Sequence, residues 1–109
     1  MNAIDPHVFD ELQATAGADF VAELLGTFAE EAPGLLAEMR SAHAAGAAER
    51  FRRAAHSLKS NSSTFGAHRL AALARELELG GLAADAAGVD ALEAELGITV
   101  TALKALARP

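Results

Sequence analysis

The sequence predicts an all-α domain: an antiparallel up-down four-helix bundle with a short additional N-terminal helix. Three observations predict it. The 109 residues suffice for one domain spanning 1–109 and one core, and folding at this size buries roughly 65% of the surface the unfolded chain exposes. The apolar fraction is 51%, much of it alanine, and the five aromatic residues are all Phe. That composition suits closely packed helices better than sheets, which favour β-branched and aromatic side chains. Apolar residues also recur at helical spacings in stretches divided by glycine, so connections are short and sequential helices run antiparallel.

The first segment, Asp5–Ala16, has Asp5 at an N-cap and Pro6 at the first helical position, where its missing N–H costs nothing. Val8, Phe9 and Leu12 form its apolar stripe and Gly17 ends it. The second, Ala18–Ala45, carries Phe20, Val21, Leu24, Leu25, Phe28, Leu35, Leu36 and Met39. Its stripe resumes in register after Pro33-Gly34, which predicts a kink near 33 rather than a stop. Gly46 closes it. The third, Ala47–Phe65, places Phe51, Ala54, Ala55, Leu58, Ser62 and Phe65 inside, with Gly66 as C-cap. The fourth, Ala67–Leu79, turns Leu70, Leu73, Ala74 and Leu77 inward and stops at Gly80-Gly81. The fifth, Asp85–Ala107, shows Val89, Leu92, Leu96, Val100, Leu103 and Leu106; Gly97–Thr101 is its stretch of poorest helix propensity.

Several classes of function are excluded. The chain has no cysteine, so it has no disulfide scaffold, thiolate zinc site or cysteine nucleophile. Charges interrupt every apolar run before the ~20 residues of a membrane span. The opening Met-Asn-Ala-Ile-Asp-Pro-His lacks the basic and apolar regions of a signal peptide. A cytoplasmic location is therefore expected, with no membrane partner. Charge is uneven along the chain. Residues 40–75 hold seven cations and one acid, a net +6, while the remainder holds two cations and fourteen acids, a net −12. The basic segment steers an anionic partner toward one face, but the acidic remainder opposes a long polyanion, so nucleic acid is not expected.

The third segment carries the chemistry. At 100° per residue His56 lies about 140° from Phe51 and about 160° from Leu58, and so points away from the apolar stripe. Arg52, Arg53, Lys59 and Ser60 stand three or four residues away and share its exposed face. An imidazole among cations suits a nucleophile that handles a phosphoryl group; an exposed histidine with ordinary basic neighbours would look the same on the wheel. Ser57 projects about 100° from His56, Ser62 sits on the buried stripe and Ser60 has no orienting acid, so a serine nucleophile fails on geometry.

Residues 55–67, AHSLKSNSSTFGA, resemble the signature of histidine-containing phosphotransfer (HPt) domains, the relay modules of multistep two-component signalling. The resemblance runs through Ala55-His56, Leu58-Lys59, a small residue at 60, small polar residues at 61–63 and Gly66-Ala67, and on through Leu70, Leu73 and Leu77-Glu78. Ile4-Asp5-Pro6 and Glu30-Glu31-Ala32-Pro33 also look like those of bacterial members. It implies a histidine phosphocarrier, not a stand-alone enzyme, with His56 taking the phosphoryl group on Nε2 from a receiver-domain aspartate and passing it to another. Lys59 occupies the position whose ammonium stabilises the phosphate. Ser60 stands where the family most often has glycine for close approach of the receiver; its hydroxyl either bonds the phosphate or is merely tolerated. Some members hold the imidazole Nδ1 with a glutamine 22 residues after the histidine. Glu78 stands there, either as that orienter, raising ring basicity, or as an exposed acid paired with Arg75 or with nothing.

Arg52, Arg53, Ser63 and Gln13 are the expected partner contacts, and Phe9 and Leu12, beside Gln13, fit core packing better. The expected partners are response-regulator receiver domains and a hybrid histidine kinase. The domain itself is expected to need no cofactor or metal, the Mg2+ ion residing on the receiver. His7, His43 and His68 form no metal-ligand spacing with His56. The alternative reading is a helical docking module that binds a receiver or kinase without carrying phosphate. An exposed single-site surface leads us to expect a monomer.

Overall fold

The computed structural model describes residues 3–83 and 85–107, and among them finds helices and no strand. The helices are α1 (Pro6–Ala16), α2 (Ala18–Ala45), α3 (Ala48–Thr64), α4 (His68–Gly80) and α5 (Ala86–Leu106), with a single 3-10 turn at Gly81–Ala83. Helix α2 packs on α3, α3 on α4, α4 on α5 and α5 back on α2, while α1 lies against α2. Partner numbers rise on one helix as they fall on the next, which makes α2 and α3, and α4 and α5, antiparallel. Phe28 meets Phe65 and Glu38 meets Arg50 between α2 and α3. Glu95 holds Arg69 and Gly88 lies beside Leu77 between α5 and α4. Arg40 of α2 reaches Asp90 at 2.9 Å and Glu93 at 3.2 Å on α5.

The caps follow their chemistry. Asp5 accepts the His7 N–H at 3.0 Å and Pro6 begins α1. Asp85 accepts from the Gly88 N–H and opens α5. Helix α2 runs through Pro33 without a break. Gly66 lies one residue beyond the α3 cap, which is Phe65, and there takes a left-handed φ of +79°. A side chain at 66 would place its Cβ 2.8 Å from the Val8 Cβ and 3.2 Å from the Asp5 carbonyl oxygen. The Asp5 N–H donates to the Gly66 carbonyl at 2.9 Å. Glycine is thus required twice, for the turn and for the N-terminal segment seated on it.

Phe51, Met39, Leu58, Leu70, Leu92, Leu103 and Val21 are fully buried and form one core. Several expected core positions differ. Phe20 is 52% and Leu106 46% exposed; Phe20 points about 100° round α2 from the fully buried Val21. Leu12, Leu24, Leu35, Leu73 and Val100 are only partly buried. Glu95 and Thr99 are buried instead on α5. Helix α4 extends one residue past Leu79 and the 3-10 turn takes up Gly81. Helix α5 is continuous through Gly97–Thr101.

Candidate functional site

Helix α3 turns Phe51, Ala54, Ala55, Leu58 and Ser62 into the core, which leaves His56 on the opposite side with its side chain 53% exposed. Only Phe65, Gly66 and Ala67 separate α3 from α4. That short turn fixes the register in which Glu78, near the end of α4, comes to rest across from the middle of α3.

Glu78 is largely covered and bridges two groups. Its Oε2 lies 2.7 Å from the His56 Nδ1, and its Oε1 accepts from the Lys59 Nζ at 2.7 Å. The hydrogen bond from Lys59, followed by that from His56, holds the Glu78 carboxyl below the ordinary carboxylate range, although desolvation pulls the other way. A carboxylate only accepts, so a neutral His56 bonded to it carries its hydrogen on Nδ1 and its lone pair on Nε2. Among the described residues no group bonds that Nε2.

Cations surround the ring on one side. Arg52 donates through Nε to Glu49 at 3.1 Å, and Arg53 stands 3.9 Å from the same acid. Both arginines, Ser60 and Ser63 are exposed. Lys59 is not on that open face as the wheel predicts: it is half-buried and leans toward α4, drawn by the Glu78 carboxylate. The Ser60 carbonyl accepts from the Thr64 hydroxyl, and the Ser62 hydroxyl returns to the Leu58 carbonyl at 2.6 Å inside the core. Gln13 stands apart on α1, which packs against α2; Phe9 beside it is buried.

The other histidines occupy different settings. His7 is exposed, and the half-buried His43 ring lies 5.8 Å from that of Phe51. His68 opens α4 with its Nε2 3.0 Å from the Asp5 Oδ2. The His68 hydrogen bond, with those of the His7 and Val8 N–H groups, holds the Asp5 carboxyl below its usual range. Sequence reasoning did not find this pair or the Lys59–Glu78 bond, since both join residues from different helices. Among the described residues no group of three or more His, Asp or Glu side chains could hold a metal ion, and no helix is long and apolar enough to cross a membrane.

No curated protein and no solved structure matches the chain significantly. The family model for the Hpt domain matches residues 23–105, taking in α3, α4 and most of α2 and α5, while α1 lies outside it. With that match over 83 of its 109 residues, and an all-helical bundle carrying an exposed histidine at the middle of α3, the chain belongs to the Hpt domain family, the histidine phosphotransfer modules of phosphorelays.

Proposed function

We propose that this domain is a phosphocarrier whose phosphorylated residue is His56, with a receiver-domain aspartyl phosphate as donor and a second receiver as acceptor. The observation that carries this reading is the Glu78 carboxylate on the His56 Nδ1, which leaves Nε2 as the open, lone-pair-bearing nitrogen of an exposed ring. The Nε2 lone pair forms the bond to phosphorus as the bond from phosphorus to the aspartate oxygen breaks, and the carboxylate leaves. Transfer onward is the reverse, with the acceptor aspartate oxygen attacking and imidazole leaving. Such transfers pass through loose, in-line transition states, so positioning and charge do most of the work.

Each neighbour has a place in this scheme. Glu78 keeps the Nδ1 hydrogen in place and faces the positive charge that develops on the ring. Lys59, one turn along α3, turns its ammonium from Glu78 to the phosphoryl oxygens once they arrive. Arg52 and Arg53 draw the acidic rim of a receiver site toward the ring. The receiver brings its own Mg2+ ion. Family membership supports receiver domains and histidine kinases as the partners.

The test is transfer of labelled phosphate from phosphorylated receiver domains to the wild-type chain and to His56→Gln. Acid-labile, base-stable label on the wild type alone is expected. Absence of label on both, with folding confirmed by circular dichroism, would replace the carrier by a docking module. Label on both would move the site to another histidine.

A further inference from the structure

A carboxylate has no hydrogen to give, so its bond to an imidazole nitrogen requires the proton to sit on that nitrogen. Glu78 places its Oε2 2.7 Å from the His56 Nδ1, and its side chain is only 12% exposed. Lys59 is the largest cause that holds this carboxyl below its ordinary range. Glu78 is therefore ionised throughout the interval in which an imidazole titrates, around pH ~6.5. Phosphorylation changes what that bond asks of the ring. Once the Nε2 lone pair bonds phosphorus, the ring is a cation as long as Nδ1 keeps its hydrogen. It becomes neutral only when that hydrogen leaves, and a bare Nδ1 would then turn a lone pair against the Glu78 oxygen with no hydrogen between them.

We infer that Glu78 keeps the phosphorylated His56 ring a cation at neutral pH, and so makes the domain a short-lived carrier of phosphate rather than a store. The inference rests on the phosphocarrier reading and adds to it what sets the lifetime of the bond. On loading, Nε2 bonds phosphorus, the electron pair of the broken P–O bond leaves with the aspartate, and the Nδ1 hydrogen stays. On unloading, an oxygen of the acceptor aspartate or of water bonds phosphorus, and the N–P electron pair returns to Nε2. Where water is the acceptor, its hydrogens go to phosphate and solvent. With Nδ1–H retained the leaving group is neutral imidazole, and no proton moves on the ring in either direction. Without it the leaving group is an imidazolate anion, unless the ring first takes a proton from solvent. Glu78 thus removes a pH-dependent step from release.

The other charges around the ring act less directly. On α3, Arg52 and Arg53 share Glu49, and Lys59 bonds the second oxygen of Glu78. On α4, Arg75 stands one turn before Glu78 and has no partner among the described residues. From α2, Glu38 is held by Arg50, and Glu31 stands beside Asn61 and Thr64. The turn at Gly81–Ala83 packs on α3 and brings no titratable group. The cations oppose a charged ring, and the incoming phosphoryl group, itself an anion, favours one. Among the described residues only Glu78 bonds the ring. When Lys59 turns to the phosphoryl oxygens, the ring cation replaces it as the counter-charge of Glu78.

The experiment compares the full wild-type chain with Glu78→Gln, whose amide oxygen still accepts from Nδ1–H and whose NH2 also bonds a bare Nδ1. Both chains are labelled from a phosphorylated receiver domain, the receiver is removed, and loss of label is followed between about pH 6 and pH 8, on either side of an ordinary imidazole midpoint. Folding of the variant is checked by circular dichroism. The wild-type decay is expected to change less than about twofold over that interval, because the ring keeps its proton. The Glu78→Gln label is expected to match the wild type near pH 6 and to outlive it roughly tenfold near pH 8, the effect of a shift of about one unit. Nitrogen-15 spectra of the labelled chains near pH 8 should show Nδ1 protonated in the wild type and bare in the variant. Decays that coincide at every pH would overturn the inference and leave the phosphocarrier reading standing. So would a variant that differs by the same factor at every pH, which is the mark of a merely structural role. Failure of the wild type to take any label would overturn the phosphocarrier reading, and this inference with it.

Discussion

Two imidazole–carboxylate pairs involve α4, one with α3 and one with the cap of α1, and differ in which nitrogen is held. In the His56–Glu78 pair the carboxylate takes Nδ1, is shared with Lys59 and is itself largely covered. In the His68–Asp5 pair the carboxylate takes Nε2, caps α1 and is drawn into the seating of the N-terminal segment. The difference separates a poised nucleophile from a clasp. Holding Nδ1 leaves the outer nitrogen of an exposed ring open, whereas holding Nε2 closes it. Exposure does not distinguish the two, since the His68 side chain is 65% exposed and that of His56 53%.

The sharpest way to break this comparison is to exchange the roles by mutation. His56→Gln is expected to abolish phosphoryl transfer, and His68→Gln to leave it within about twofold, since removing a solvent-exposed hydrogen-bond partner usually has small effects; parallel transfer assays check both. Gly66→Ala comes next. It forces a side chain into left-handed backbone and against Val8, and should cost about 2–4 kcal/mol of stability in urea titration. The variant should still carry the His56–Glu78 bond while folded, because that bond lies well up the helices from the turn.

Glu78→Ala should slow transfer about 10- to 100-fold by releasing the ring. Nitrogen-15 spectra should then show His56 as a mixture of tautomers, a change that mere loss of packing would not produce. Glu78→Gln should lose less, because an amide oxygen still accepts from Nδ1–H. The smallest effect concerns pH. The Glu78 carboxyl is lowered in the folded state, so its contribution to stability is present above the ordinary value of 4.5 and is lost as pH falls through the lowered one. Lys59 is the largest cause. Lys59→Met should therefore raise the Glu78 midpoint back toward 4.5 in a carbon-13 carboxyl titration, and a midpoint that does not move would remove Lys59 from the network.

Much of this was legible in the sequence, and what was not has a common physical origin. Helix existence and order follow from periodicity, glycine and the cap at Asp5, all local signals. The outward placement of His56 follows from its angle to Phe51 and Leu58 on the same helix. Glu78 was readable only as two alternatives, since its meeting with His56 depends on the register of α3 against α4. Helix α5 was the least legible because it is apolar nearly all round. Pattern alone favoured Val100 and Leu106 for burial, while packing against α4 chose Glu95, held by Arg69, and Thr99. Phe20 misled because it lies about 100° round α2 from Val21, which is fully buried at the same level, and so points off the buried stripe of Val21, Leu25 and Phe28.

The central claim is that the outer nitrogen of His56 is the one that carries phosphate. The direct measurement is phosphorus-31 and nitrogen-15 NMR of the nitrogen-labelled chain after transfer from a phosphorylated receiver. The account predicts a single phosphohistidine, at Nε2 of His56, with Nδ1 still protonated and bonded. Phosphate on Nδ1 of His56, or on any of the other three histidines, would contradict it.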